Sequence, residues 1–367
     1  MKAMIIKEFR QLRRDRRTLA MMIVMPVILL VILGYAASFD VSRIPTVVAG
    51  PSARQVAATL PRPFELVGTV PAAQAQPELR DGHAAVAIVT GGARPVVLID
   101  GSQLFTARAA QQALATLART GPASAARGLT PAAASVRVLY NPGLKTSDIM
   151  IPGIAGVILV FVGTVITSLG VVRERQSGTL EQLAVMPLRP RDVFLGKITP
   201  YFAVAAVDLA IVLAVGVAVF GVPFRGSAAV FALGALLFVF VTLGIGVLIS
   251  SVSQNQGQAI QLAIMTLLPQ VLLSGLIFPL SSMVAGVRWI AYLLPLTYFN
   301  EIARGVMLRA EPLTALWQPF CYLALLGAVV VTLATLRFRA FLAPAPRATA
   351  VPATASGPVL AGSREQS

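Results

Sequence analysis

From Gly226 to Val287 the chain carries no charged residue. A bilayer solvates such a stretch readily. A hydrocarbon core about 30 Å thick takes about 20 residues of apolar helix, so this stretch has room for two spans. The polar cluster Ser250-Ser251-Val252-Ser253-Gln254-Asn255-Gln256 divides it. Four more runs reach spanning length: Thr18 to Phe39, Ile149 to Val172, Ile198 to Phe224 (broken only by Asp208) and Pro312 to Leu336. These runs predict a mainly α, polytopic membrane protein with six transmembrane helices. Composition agrees, because charged residues make up 12% of the chain, against about 25% in soluble domains.

The net charge of +15 could suggest nucleic acid as a partner. That function needs basic residues on a folded, water-facing surface. Here they flank the apolar runs instead: Lys2 to Arg17 before the first, Arg173 to Lys197 after the second, Arg337 to Arg347 after the last. Cytoplasmic ends of membrane helices carry such flanks. With six spans and both termini cytoplasmic, all three clusters fall inside, and nucleic-acid binding is excluded. The first run exceeds a signal-peptide core, so Thr18 to Phe39 is expected to stay as a span despite the cleavage-like Ala36-Ala37-Ser38.

Five regions follow. Residues 1–17 place Ile5, Phe9 and Leu12 at helical spacing among basic residues, which predicts an interfacial amphipathic helix leading into helix one at 18–39. Residues 40–147 form an external domain of mixed α/β type. Thr46 to Ala49, Ala84 to Val89, Pro95 to Ile99 and Ser135 to Leu139 read as strands, and Gln103 to Leu117 reads as a helix. Residues 148–341 hold helices two to six, with a cytoplasmic loop at 173–197 and an outer segment at 279–311. In that segment Pro279 and Pro295 interrupt the apolar pattern, which predicts short re-entrant helices. Trp289, Tyr292 and Tyr298 suit the interface, and Glu301, Arg304 and Arg309 are expected at its solvated end. The tail at 342–367, rich in Ala, Pro, Gly and Ser, is expected to be disordered.

Catalytic groups are missing from this sequence. A phosphate-cradling loop needs Gly-x-x-x-x-Gly-Lys-Ser/Thr. Before the lone Gly196-Lys197 pair stands Arg191 in place of the first Gly, and Ile198 follows in place of Ser or Thr. The single cysteine, Cys321, and the single histidine, His83, build neither a zinc site nor a triad. His83 reads as a solvated turn residue beside Gly82. No cofactor, metal or catalytic residue is expected in this chain.

Two features invite function. The loop Arg173 to Lys197 holds a short capped segment around Ser177 and Thr179, carrying Leu180 and Leu183 and ended by Pro187 and Pro190. It is either a plain connector or a helix that docks in a partner's groove. Asp208, near mid-bilayer, costs about 2.5–3.5 kcal/mol on insertion scales. It is either a structural hydrogen-bonding group or a substrate or proton site.

Arg173-Glu174-Arg175-Gln176-Ser177-Gly178-Thr179-Leu180-Glu181-Gln182-Leu183, with Pro187 and Leu195-Gly196-Lys197 after it, resembles the signature of type 2 ATP-binding-cassette exporter permeases. Lys7 to Asp15 resembles their interfacial helix. Tyr140-Asn141-Pro142 before Ile151-Pro152-Gly153 resembles the junction after the external domain in the subgroup that has one. Phe278-Pro279-Leu280 and Leu294 to Phe299 resemble its last outer segment. The resemblance implies a coupling helix seated on a cytosolic ATPase that holds the ATP and Mg. Arg173, Glu174, Gly178, Thr179 and Glu181 would be the coupling residues. It further implies a second permease subunit, identical or a sister chain, surrounding membrane lipid, a bacterial inner-membrane location, and in some systems a periplasmic adaptor. The exported substrate would be drug-like, a lipid or a glycan. A secondary transporter using Asp208 is the alternative, but the sequence offers neither a second intramembrane charge nor an internal repeat.

Overall fold

A computed structural model describes residues 41, 43–92, 94–120, 134–177 and 190–342. The expected interfacial helix at 1–17, the first span at 18–39, Gly178, Thr179 and Glu181, and the tail past Leu342 lie outside the described residues.

The α/β region runs β1 (Ile44–Ala49), α1 (Ala53–Ala58), β2 (Phe64–Val70), α2 (Ala75–Arg80), β3 (Val86–Val89), β4 (Val96–Asp100), α3 (Leu104–Thr120) and β5 (Ser135–Leu139). The strands form one five-stranded sheet in the order β2-β1-β3-β4-β5. β1 is parallel to β2 and β3, β4 is parallel to β5, and β3–β4 is the antiparallel pair. Parallel neighbours need a crossover, which α1, α2 and α3 supply. The short apolar run of β3 is buried on both faces, as a central strand requires. Ala107, Ala110 and Leu114 repeat at helical spacing and pack α3 against Val86, Ile88, Val97 and Ile99. β2 escaped the sequence reading because it is a mostly exposed edge strand whose Gly68 breaks the alternation.

The membrane region begins with α4 (Thr146–Val160), which continues through a π-helical stretch (Phe161–Ile166) into α5 (Thr167–Gln176). Then come α6 (Pro190–Ala218), α7 (Ala228–Val252), α8 (Gln256–Leu273), α9 (Ala285–Ala291), α10 (Pro295–Arg304), a π turn (Gly305–Arg309) and α11 (Trp317–Leu342). Among the described residues four stretches are long and apolar enough to cross a membrane: Thr146–Glu174, Thr199–Ala218, Ala228–Val252 and Trp317–Arg337. α8 stands where a further span is expected. Its 18 residues reach only about 27 Å at 1.5 Å per residue, and four glutamines and Pro269 dilute its apolar character.

The polar cluster between α7 and α8 is a cap. Asn255 accepts from the Gln258 amide at 2.9 Å, and the Gln258 side chain accepts from the Gln254 amide at 3.0 Å. The reciprocal pair satisfies amides that α8 would otherwise orphan, much as a capping box does.

α4–α5 and α7 form the centre of the bundle, each 61% buried over its most apolar window, against 11% for α6 and 22% for α11. Lipid offers helices no hydrophobic drive to associate, so close contact between small residues does that work. Gly163 lies against Thr242, and a Cβ on Gly246 would run into the Gly163 carbonyl oxygen. Gly246→Leu is therefore expected to lower stability by about 3 kcal/mol or more, since backbone cannot yield to the added atoms. Thermal unfolding in detergent measures this, with Gly286→Ala, a site with nothing within 4 Å, as the unaffected control.

The outer segment is anchored rather than loose. Leu296, Phe299, Ile302 and Ala303 of α10 are fully buried. Phe299 stacks on Phe238 of α7 with centroids 4.4 Å apart, and Tyr298 donates its hydroxyl to the Tyr292 carbonyl at 2.6 Å.

Candidate functional site

α5 carries Arg173 and Glu174 in its last turns. The Ser177 amide donates to the Arg173 carbonyl at 3.0 Å, and the Ser177 hydroxyl donates to the Glu174 carbonyl at 2.9 Å, closing the helix end. Gln256 donates to the Gln176 side chain at 3.0 Å. That bond joins the start of the expected coupling loop to the cap of α8. Two of the five expected coupling residues thus stand together at one helix end. The other three lie outside the described residues.

Asp208 sits half-exposed on α6, in line with the exposed Val204, Ile211 and Val215. This is an apolar stripe at helical spacing that no described element covers. No hydrogen bond or ion pair holds Asp208 among the described residues, so the expected bond to a neighbouring helix is not found there.

The charges of the outer segment are arranged differently from expectation. Glu301 is exposed and Arg304 half-buried, but Arg309 is buried, with its side chain only 7% accessible. Its Nη1 lies 3.6 Å from Asp100 Oδ2, and its Nε lies 2.6 Å from Glu311 Oε1. A buried guanidinium needs such partners, and the backbone provides for both. Asp100 ends β4, and its other oxygen accepts from the Ser102 amide at 2.9 Å. Gly305 leaves room for Glu311, because a Cβ there would sit 2.6 Å from Glu311 Oε2. The Gly82 turn, at φ +73°, backs onto Arg309 Nη1. Sequence reading took Gly82-His83 as a turn but had no means of seeing what the turn covers. His83 itself is exposed and meets Glu78 at 3.1 Å.

Asn141 fixes the junction between sheet and bundle. It accepts from the Lys145 amide at 2.9 Å and donates to the Lys145 carbonyl at 3.0 Å. The Arg309 pairs therefore form a second tie between the α/β region and the membrane region.

Burial pushes the Glu311 carboxyl from an ordinary 4.5 up to about 7, outweighing Arg309, and pushes Asp100 up as well. A carboxyl with a raised folded pKa binds more protons folded than unfolded between those two values. Stability through Glu311 is then greatest at and below about pH 4.5 and falls as pH rises through about 7. Glu311→Gln is expected to flatten that slope. Melting curves between pH 5 and 8 test this, and an unchanged slope contradicts it.

A sheet domain tied to a bundle of apolar helices, four of them long and apolar enough to cross a membrane among the described residues, defines a polytopic membrane protein. The chain belongs to the ABC-2 family transporter proteins, whose family profile matches residues 16–336. It is 33% identical over 204 residues to the probable multidrug ABC transporter permease YbhR of Escherichia coli K12, covering 56% of this chain and 55% of the relative. It is 34% identical over 176 residues to the probable multidrug ABC transporter permease YbhS of the same strain, covering 48% and 47%. To the inner membrane transport permease YhhJ, also of that strain, it is 34% identical over 207 residues, covering 55% and 54%. The chain thus spans about half the length of the curated relatives it matches.

Proposed function

We propose that the chain is the membrane-spanning, non-catalytic permease subunit of an ATP-driven exporter in a bacterial inner membrane, with both termini cytoplasmic. The observation that carries this reading is the continuity from α4 through the π-helical stretch to α5. One of the two most buried helix paths among the described residues ends in Arg173 and Glu174, so a push on the loop at 173–197 would reach the core directly. The loop's other end enters α6, the helix that bears Asp208.

In this reading a cytosolic ATPase binds ATP and Mg and grips Arg173, Glu174, Gly178, Thr179 and Glu181 differently in its nucleotide states. Only such differential affinity shifts a conformational equilibrium. A second permease subunit covers the apolar stripe of α6. This placement removes Asp208 from lipid, where an unpaired carboxylate is costly. Substrate, of drug-like, lipid or glycan class, leaves between the two subunits, and an external domain of this size suits transfer to a periplasmic adaptor. Secondary transport through Asp208 is the weaker reading, since no second ionisable group joins it among the described residues.

The test is co-reconstitution of the chain with a cytosolic ATP-binding-cassette ATPase from the same cells. The permease is expected to change the ATPase rate several-fold and to form a complex containing two permease copies or a permease pair. An ATPase rate identical with and without the chain overturns the proposal.

A further inference from the structure

A cavity of about 510 Å³ lies between the α/β region and the segment from α8 to α10. That volume is in the range of small-molecule sites. Its lining is mixed: Arg288, Asn300, Glu301 and Arg304 supply polar groups, and Leu104, Ile149, Leu276 and Leu280 supply apolar surface.

The two arginines brace the connection between α8 and α9. Arg304 Nη2 donates to the Gly275 carbonyl at 2.7 Å. Arg288 Nη2 donates to the Met283 carbonyl at 2.8 Å and to the Ser281 carbonyl at 3.2 Å. Each guanidinium has five donors, so most remain unspent, and the Nε of each has no partner. Neither arginine is in an ion pair among the described residues. Arg309, by contrast, already has Asp100 and Glu311. Among the described residues the lining therefore holds two guanidiniums without an ion-pair partner and one carboxylate, Glu301, beside apolar side chains. Trp289, Tyr292 and Leu293, on and just after α9, are exposed, and Tyr292 also lines the cavity; Trp and Tyr are the residue types that favour headgroup level.

We infer that this cavity, lined by residues of a single chain, binds an anionic amphiphile. Its phosphate or carboxylate head sits between Arg288 and Arg304, and its apolar part lies along Leu104, Leu276 and Leu280. Guanidinium forks match such heads in geometry and charge. The inference rests on the membrane placement given above. Binding needs neither ATP nor a partner, so its failure leaves the exporter reading intact, and failure of ATPase coupling leaves this site intact.

The test is titration of the full chain in uncharged detergent with phosphatidylglycerol, phosphatidylcholine or inorganic phosphate, read by native mass spectrometry. Phosphatidylglycerol is expected to bind about tenfold more tightly than phosphatidylcholine. Arg288→Gln should erase that preference. Glu301→Gln should tighten phosphatidylglycerol several-fold, a gain that misfolding cannot produce. Equal affinity for the two lipids overturns the inference, as does weakening by Glu301→Gln. Inorganic phosphate binding as tightly as phosphatidylglycerol assigns the arginines to a free anion and overturns the amphiphile.

Discussion

Arg309→Ala is expected to destabilise the protein by about 3–5 kcal/mol at pH 8, the range for removing one partner of a buried ion pair. Asp100 is fully buried, and its Oδ2 has no hydrogen bond. Glu311 is 3% exposed. With the guanidinium gone, two carboxylates face each other's field in a poorly solvated place. They can escape only by taking up protons, so the deficit should shrink as pH falls towards 5. Arg309→Lys should fall between, because an ammonium keeps the charge but lacks the fork that reaches two acids on different segments. The junction should also loosen, since β4 and the π turn lose their link. Thermal unfolding in detergent and limited proteolysis report both effects. A variant that melts like the parent at pH 8 would contradict the structural role assigned to Arg309.

The second large effect is functional. Glu181→Arg is expected to abolish ATP-driven export while leaving the melting temperature within about 1 °C of the parent, if the proposed coupling role is its main contribution. The loop it occupies joins α5 to α6, and the family resemblance assigns it to ATPase coupling. In the proposed mechanism, reversing this charge removes the partner's differential affinity for the two states. Export assays in proteoliposomes, paired with ATPase rates, read the outcome. Parental export would remove Glu181 from the coupling set.

Local pattern carried much of this architecture. The uncharged runs mark α4–α5, α6, α7 and α11, because lipid-facing helices leave long apolar stretches. The polar break at Ser250 to Gln256 became a cap that ends one helix and starts another. Strands β1, β3, β4 and β5 stood out by apolar runs between turn residues, whereas the exposed edge strand β2 did not. The length of α8 was hidden too, since absence of charge reads the same in a span and in a shorter, glutamine-bearing helix.

The outer charge cluster was illegible for a different reason. Arg304 and Arg309 look like solvated residues at the end of an apolar segment. The environment of Arg309 is set by Asp100 and Gly82, and Arg304 meets the Gly275 carbonyl, all far away in the chain and linked by no periodicity. The pairing arises only when the sheet is laid on α10 and the π turn. Asp208 was legible as an anomaly, but its place on an uncovered stripe required the helix packing.

The most direct measurement is affinity purification of the tagged full chain in mild detergent from its native cells, with quantification of what accompanies it. The account predicts a cytosolic ATP-binding-cassette ATPase in stoichiometric amount, lost on Glu181→Arg. A stable, transport-competent preparation with no ATPase would contradict it.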